Sequence, residues 1–322
     1  MRKLPLYRYS YFFIGATLAL LSILPIFMGS YYTHIFILIL LYAYLGSSWN
    51  ILGGYGGQFS FGHATFLGLG AYTSTILFMR FGISPWIGML LGGVLSMIVG
   101  IFIGFICFRY GLKGPFFALA TLAFAEMFRV TALNVPFTGK AMGILITIKG
   151  TSFPAFQFQE KIYYYYIILA FNVFIVFVTH LIEKSKLGDY LEAIKEDEDA
   201  AEALGIDTLK YKVMAISISS FLTALGGTFY AQYLFYIDPD ICFGVHNSIE
   251  IFIRPILGGL GTVYGPFLGS LILGPLSEVT RGLLGGYSGM HLMLFGAVLV
   301  VVVIFLPKGV VGFFEKKIGY SR

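Results

Sequence analysis

Two pairs of oppositely charged residues lie within long apolar stretches of this sequence. Glu126 precedes Arg129 by three positions, and Glu250 precedes Arg254 by four. Both spacings place the acid and the base on one face of a helix. Ionisable groups in membrane spans are typical of proton or ion relays, but an acid with a base within reach is better suited to a fixed ion pair. We therefore expect both pairs to be structural.

Polar residues also occur in two glycine-rich stretches that echo each other. LGGYG at 52–56, followed by FLG at 66–68, is echoed by LGGLG at 257–261, followed by FLG at 267–269. Such segments in corresponding positions of two halves are typical of an inverted repeat with a path near the membrane midplane, although glycines also serve only to let helices pack closely. Both interpretations stay open, and any one polar residue has the alternative role of bonding a loosened backbone carbonyl. The expected path residues are Gly54, Gly57, Gln58, Ser60, His63, Gly259, Gly261, Thr262 and Tyr264.

The elements that position these residues are predicted to be membrane-spanning helices. The 322 residues are 58% hydrophobic and only 11% charged, and a ~30 Å hydrocarbon core requires about 20 consecutive apolar residues. Continuous apolar runs argue against a β-barrel, whose strands alternate in polarity. The expected fold is an all-α polytopic bundle that forms one transmembrane domain over 1–322. Full spans are expected near 9–28, 33–52, 86–108, 115–133, 162–182, 211–235 and 288–306, and broken or re-entrant segments at 63–79 and 248–280.

The basic residues predict the orientation of the bundle. Fourteen of the twenty-one Lys and Arg residues fall in loops on one side, provided that the two irregular regions return the chain to the side it left. Because Lys and Arg accumulate in cytoplasmic loops, we expect both termini to be cytoplasmic. The loops at 134–161 and 236–247 are then expected to face outward. Basic residues that flank spans reflect topology, so nucleic acid is not an expected partner.

One polar loop dominates the expected cytoplasmic side. Nine of the sixteen acidic residues lie between Glu183 and Asp207. The alanines and leucines of this loop favour a helix from about Leu187 to Gly205, where glycine is suited to end it. A solvated amphipathic connector is the plainer interpretation of such a loop, and a docking element is the alternative.

The sequence of this loop resembles a known family. GDYLEAIKEDEDAAEALGIDTLKYKV at 188–213 is similar to the cytoplasmic loop of the LivM-type branched-chain amino acid permeases. The resemblance continues in NILGGYGGQFSFGHATFLGLGAY at 50–72, FFALATLAFAEMFRVTALN at 116–134, LGGLGTVYGPFLG at 257–269 and LPKGV at 306–310. It covers about 40–315 in order, and the 116–134 helix favours the M-type subunit over its H-type partner. The sequence departs from the family pattern at 138–144 and at Arg254-Pro255.

The resemblance implies the permease subunit of an ATP-binding-cassette importer in the inner membrane, which forms the translocation path for branched-chain or related amino acids. It implies a second, LivH-type permease, two ATPase subunits and an extracytoplasmic solute-binding protein as partners. This chain contains no phosphate-binding loop, so ATP and Mg are expected on the ATPase subunits and no cofactor or metal on this chain. The coupling loop at about 183–210 is expected to contact the ATPases through Ala193, Glu196, Glu198, Ala200, Ala201 and Gly205.

Two other transport functions remain open. A permease of the same family for urea, short amides or another small polar solute would carry the same motifs. A secondary transporter driven by protons or sodium would use the buried acids Glu126 and Glu250. An enzyme has little support, because neither a His-Glu-x-x-His zinc motif nor a Gly-x-Ser-x-Gly nucleophile turn occurs in the sequence.

Overall fold

The computed structural model describes residues 21–25, 27–148, 150–284, 293, 296–297, 300 and 309–312. Most residues of the spans expected at 9–28 and 288–306 lie outside the described ranges. The described part is almost entirely helical, which confirms the all-α class. Its α-helices are α1 (Ser30–Asn50), α2 (His63–Phe81), α3 (Pro85–Arg109), α4 (Pro115–Asn134), α5 (Lys161–Glu183), α6 (Lys186–Glu196), α7 (Glu198–Ala203), α8 (Thr208–Leu234), α9 (Pro239–Phe243), α10 (Val245–Gly258) and α11 (Gly265–Leu284).

Five helices in the described part are long and apolar enough to cross a membrane. They are Ser30–Tyr55, Pro85–Arg109, Pro115–Asn134, Lys161–Glu183 and Thr208–Leu234. The first of them is α1 continued by a π-helical turn at Ile51–Tyr55. Their bounds confirm the spans expected at 33–52, 86–108, 115–133, 162–182 and 211–235, because an uninterrupted apolar run of this length is the strongest local signal in a sequence.

Helices α1 and α8 form the centre of the bundle. Helix α8 packs against α1, α2 and α3, and α1 also packs against α5, α10 and α11. More than 70% of the most apolar window of both central helices is buried, against less than 40% in α3, α4 and α5. The outer helices expose large apolar side chains, including Leu91, Phe102 and Phe177. Such a surface is suited to lipid.

The connections place α6 and α7 at one end of the bundle. Lys113, in the turn between α3 and α4, contacts Asp199 of α7, so that turn lies at the same end. At the opposite end, β1 (Ile144–Leu145) pairs antiparallel with β2 (Tyr236–Ile237). The loops at 134–161 and 236–247 therefore share one end, as the expected orientation requires.

One of the two irregular regions differs from the prediction. Helix α2 is continuous over His63–Phe81, so the expectation of a break within 63–79 is wrong, and the alternative of a re-entrant segment stays a prediction. The irregular backbone precedes it, in the π-helical turn and in residues 56–62. Gly70 lies against the backbone of Ala224, which shows that a glycine of α2 lets it pack closely on α8. The break expected within 248–280 is confirmed, because α10 ends at Gly258 and α11 begins at Gly265.

The acidic loop forms two helices where one was expected from Leu187 to Gly205. Helix α6 ends at Glu196, and Asp197 adopts an extended conformation with φ −157° and ψ 107°. The Asp197 carboxylate accepts hydrogen bonds from the backbone N–H groups of Asp199 and Ala200 (3.0 Å each). An aspartate in this position caps the start of a new helix, and its capping tendency overrides the continuous helix-forming composition.

Candidate functional site

The two glycine-rich stretches meet inside the bundle. Asn50, the last residue of α1, donates from Nδ2 to the carbonyl of Thr262 (2.9 Å), and its Oδ1 accepts from the N–H of Gly261 (3.0 Å). A β-carbon on Gly54 would lie 2.6 Å from Gly261 N, so only glycine permits this close approach. We call this contact the glycine junction. Irregular backbone at membrane depth needs such internal partners, because lipid offers none.

Helices α1 and α10 approach the glycine junction in the same direction. Near the middle of α1, the Tyr42 hydroxyl donates to Asn247 Oδ1 (3.3 Å). Two turns further along, Asn50 bonds Thr262 beyond the end of α10. An inverted pair runs in opposite directions, so the inverted relation expected for these two segments is wrong. They form a parallel pair, and a local glycine pattern carries no information about chain direction.

Three expected path residues lie deep within the protein. Gln58, Ser60 and His63 are at most 8% exposed. His63 Nε2 lies 2.8 Å from the Ser219 hydroxyl, which itself donates to the carbonyl of Ser48 (2.7 Å). The imidazole therefore donates from Nε2 and accepts at Nδ1 from the Ser60 hydroxyl (3.2 Å). In this conformation His63 ties α1, α2 and α8 together, and its exposure to a transport route stays a prediction.

The remaining path residues shape the irregular backbone at the glycine junction. The Thr262 hydroxyl donates to the carbonyl of Gly259 (2.9 Å) and accepts from the N–H of Gly265 (3.0 Å), where α11 begins. Gly57 and Gly259 have φ of 66° and 140°. Tyr264 is 45% exposed. Thr262 is half-buried. Both residues are therefore more accessible than Gln58, Ser60 and His63.

Helix α6 reaches the glycine junction directly. Leu191 is fully buried, and its Cδ2 would lie 3.5 Å from a β-carbon on Gly56. A β-carbon on Gly57 would lie 2.9 Å from Lys195 Cγ, and one on Gly261 would lie 3.2 Å from Lys195 Nζ. The side chain of Lys195 therefore spans from α6 to both glycine-rich stretches.

Ion pairs fasten α7 to the rest of the bundle. Glu198 Oε1 lies 2.6 Å from Lys212 Nζ on α8 and 3.8 Å from Lys113 Nζ. Lys113 Nζ also lies 2.7 Å from Asp199 Oδ1, and this hydrogen bond holds the pKa of the Asp199 carboxyl below its usual range. Glu198, which was expected to contact the ATPases, here accepts from lysines of its own chain.

The expected coupling residues divide between a buried and an exposed side of the loop. Ala201 is buried and Ala193 is half-buried, whereas Glu196, Ala200 and Gly205 are exposed. Gly205 has φ 86° and follows α7 with an open environment at its α-carbon. Beside it, Leu204 exposes 83% of its surface. The exposed side therefore combines carboxylates with small and apolar residues next to a turn.

The Glu126–Arg129 pair includes a third residue. Arg129 Nε lies 2.9 Å from Glu126 Oε2, and Arg129 Nη2 lies 2.5 Å from Glu126 Oε1. Arg129 Nη1 also bonds the carboxylate of Asp240 on α9. One guanidinium thus holds two carboxylates and joins α4 to α9.

The Glu250–Arg254 pair is buried. Arg254 Nη2 lies 2.6 Å from Glu250 Oε2, with side chains 3% and 7% exposed. The Arg254 guanidinium carbon lies 4.0 Å from the centre of the Tyr42 ring, in the range of a cation–π contact. Arg254 Nε has no hydrogen-bond partner among the described residues.

A cavity of about 160 Å³ adjoins this pair, between α1, α8, α10 and α11. Its polar lining includes Tyr42, His246, Glu250, Arg254 and Glu278. On α1, α8 and α11 the lining comes mainly from the half of the helix that lies away from α6 and α7. No group of three or more potential metal-ligating side chains occurs in the described ranges.

Comparison with known proteins identifies the family. The protein-family model described as the branched-chain amino acid transport system permease component matches residues 31–303. The chain belongs to this permease family. The match covers both glycine-rich stretches, the acidic loop and the cavity.

Individual relatives of the permease support the M-type resemblance. LivM of Salmonella typhimurium, a high-affinity branched-chain amino acid transport system permease protein, is 26% identical over 321 residues, 92% of this chain and 74% of the relative. A probable LivM of Methanocaldococcus jannaschii is 24% identical over 69% of this chain and 68% of its own. LivH of Escherichia coli K12 is 28% identical but covers only 42% of each chain. No solved structure matches this permease.

Sequence reasoning about this permease missed four residues that organise the site. Asn50, Lys195, Lys212 and Asp240 each make a contact across elements. Asn50 stands two positions before the first glycine-rich stretch, so a polar residue at the end of an apolar span was the available signal. The three charged residues had no local signal, because their partners are distant in sequence.

Proposed function

We propose that this chain is the membrane subunit of an ATP-binding-cassette importer and forms a route for branched-chain or related amino acids. The observation that carries the proposal is the contact of α6 with the glycine junction through Lys195. A permease without its own phosphate-binding loop receives energy through contact with a separate ATPase. In this proposal α6 and α7 receive that contact, and Lys195 and Leu191 transmit it to the irregular backbone.

The exposed side of α7 suits the receiving role. Ala200 and Gly205 present little bulk, and Leu204 offers an apolar side chain that water solvates poorly. The Glu198–Lys212 contact at 2.6 Å fixes α7 to α8. In this proposal a displacement of α7 therefore also moves α8. The end with α6 and α7 is cytoplasmic in this proposal, as are both termini.

The proposed assembly contains a second, LivH-type permease, two ATPase subunits and an extracytoplasmic solute-binding protein. ATP and Mg are bound by the ATPases and not by this chain. The relatives that match most of this chain are named branched-chain amino acid permeases, which supports an amino acid as the solute.

Transport by the reconstituted complex tests the proposal. The chain would be co-expressed with its transport partners, purified as a complex and placed in proteoliposomes with ATP and Mg on the ATPase side. Radiolabelled leucine, isoleucine, valine and urea would be offered with the solute-binding protein on the other side. We expect uptake of the branched-chain amino acids that requires ATP.

Two results would overturn parts of the proposal. Leucine accumulation that a proton or sodium gradient drives without ATP would replace the importer by a secondary transporter. Uptake of urea with no uptake of any branched-chain amino acid would retain the ATP-driven mechanism and change the solute.

A further inference from the structure

The cavity between α1, α8, α10 and α11 combines charged and apolar walls. His246, Glu250 and Arg254 follow one another at intervals of four residues on α10, so they form one stripe. Glu278 faces the cavity from α11. The α1 wall contributes Ile35, Leu38 and Ile39. A cation, two carboxylates and an aliphatic surface thus border one space.

We propose that this cavity is a binding site within the permease for a zwitterionic amino acid with an aliphatic side chain. The α-carboxylate accepts hydrogen bonds from Arg254, the α-ammonium donates to the carboxylate of Glu278 or Glu250, and the side chain lies against α1. The inference rests on the proposed function and deepens it, because it gives the permease its own recognition of the solute.

Arg254 offers a hydrogen-bond donor to the α-carboxylate of the ligand. Its side chain is 3% exposed, and its Nε–H has no partner among the described residues although Glu250 holds the rest of the guanidinium. A buried donor without a partner costs free energy, and a carboxylate in the cavity would satisfy it. The ring of Tyr42 at 4.0 Å holds the guanidinium in place, so little side-chain entropy is lost on binding.

The size and place of the cavity agree with a transient solute site. A water molecule needs roughly 10–15 Å³ of such space, so 160 Å³ accommodates a small amino acid. Tyr42 and Asn50 are eight positions apart on α1, which at ~1.5 Å per residue is about 12 Å. The cavity thus lies about two helical turns from the glycine junction, on the side away from α6 and α7.

Direct binding to the purified complex tests the inference. The complex would be placed in lipid nanodiscs without the solute-binding protein and without nucleotide, and tritiated L-leucine would be measured by scintillation proximity. We expect saturable binding. We expect 4-methylpentanoic acid, which lacks the ammonium, and 3-methylbutylamine, which lacks the carboxylate, to compete about tenfold more weakly or worse, because each loses a charge-assisted hydrogen bond. Urea is expected not to compete.

Substitutions locate the site. Arg254→Gln should weaken leucine binding about tenfold or more, and the matched control Arg80→Gln, outside the cavity at the end of α2, should leave it unchanged. Because Arg254→Gln also breaks a buried pair, labelling provides a second test. Ser277→Cys in the cavity should react with a small water-soluble thiol reagent, more slowly with leucine present and at an unchanged rate with urea. Ser217→Cys on α8 should show no protection.

The outcomes separate this inference from the proposed function. ATP-driven leucine uptake by a complex that binds no leucine alone, or whose Ser277→Cys variant is unreactive or unprotected, would overturn the cavity site and leave the importer intact. Leucine binding with equal competition by urea would overturn the zwitterion assignment. Absence of leucine uptake with ATP-driven urea uptake would overturn the proposed solute.

Discussion

Lys212 on α8 and Glu198 on α7 form an ion pair whose lysine is almost fully buried. The Nζ–Oε1 distance is 2.6 Å, and the lysine side chain is 2% exposed. The ammonium also lies 4.9 Å from the centre of the Phe108 ring. This pair connects the acidic loop to α8, one of the two central helices, and in the proposed function it transmits motion from α7 to that helix.

Removal of the lysine should loosen α7. Lys212→Met leaves the Glu198 carboxylate partly buried without its closest cation, and such a loss costs up to ~3 kcal/mol. We expect a lower unfolding midpoint of the purified complex and slower uptake. The double variant Lys212→Met with Glu198→Gln should recover most of the midpoint. Lys210→Met, at an exposed neighbouring position, serves as the control, and equal effects of the Lys210 and Lys212 variants would contradict this role.

The turn after α7 should tolerate polarity better than bulk. Gly205 has φ 86°, which a β-branched residue adopts only with strain, whereas asparagine adopts it readily. We expect Gly205→Val to insert into the membrane but to lose ATP-dependent uptake, and Gly205→Asn to retain most of it. Ala200→Trp should also abolish uptake by blocking the docking surface. Wild-type uptake by both bulky variants, with ATPase subunits retained on purification, would refute the coupling assignment.

Asn50 should hold the two glycine-rich stretches together at the glycine junction. Asn50→Ala removes both hydrogen bonds to the second glycine-rich stretch, each contributing roughly 1 kcal/mol. We expect reduced uptake and faster hydrogen exchange in peptides from residues 255–268. Asn134→Ala removes an exposed amide at the end of α4 and should change neither quantity. Unchanged exchange at 255–268 in Asn50→Ala would show that the bridge does not hold the junction.

Substitutions within the cluster of Arg129, Glu126 and Asp240 should lower stability by unequal amounts. Arg129→Gln leaves the carboxylates of Glu126 and Asp240 facing each other without a cation, whereas Glu126→Gln leaves Arg129 paired with Asp240. We therefore expect Arg129→Gln to lower the unfolding midpoint more than Glu126→Gln. The double variant Arg129→Gln with Glu126→Gln should recover part of the midpoint that Arg129→Gln loses. A double variant less stable than either single one would contradict mutual stabilisation.

Cysteine labelling should rank the expected path residues. Without nucleotide, Tyr264→Cys and Thr262→Cys should react with a small water-soluble thiol reagent faster than cysteines at Gln58, Ser60 and His63, because the latter three are at most 8% exposed. State-dependent reaction at the buried positions during ATP turnover would place them on the route. Inertness in every nucleotide state would assign them a purely structural role.

Much of the fold was predictable from local sequence. The five confirmed spans follow from runs of about 20 apolar residues, and the break at 259–264 follows from glycines that interrupt such a run. The break in the acidic loop was missed because one capping residue, Asp197, outweighs a helix-forming composition on both sides. At 63–79 the glycines predicted irregular backbone, but they serve helix packing on α8 instead.

The sequence by itself determined the family, the all-α membrane class and the two glycine-rich stretches, because hydropathy and short motifs are local properties. Only the tertiary structure decided that these stretches meet in parallel, that Glu198 pairs within the chain and that Arg254 borders a cavity. Asn50 and Thr262 are 212 positions apart, and such contacts depend on how helices pack around α1 and α8. Packing joins residues through side-chain shape and charge across the bundle, and no local pattern records it.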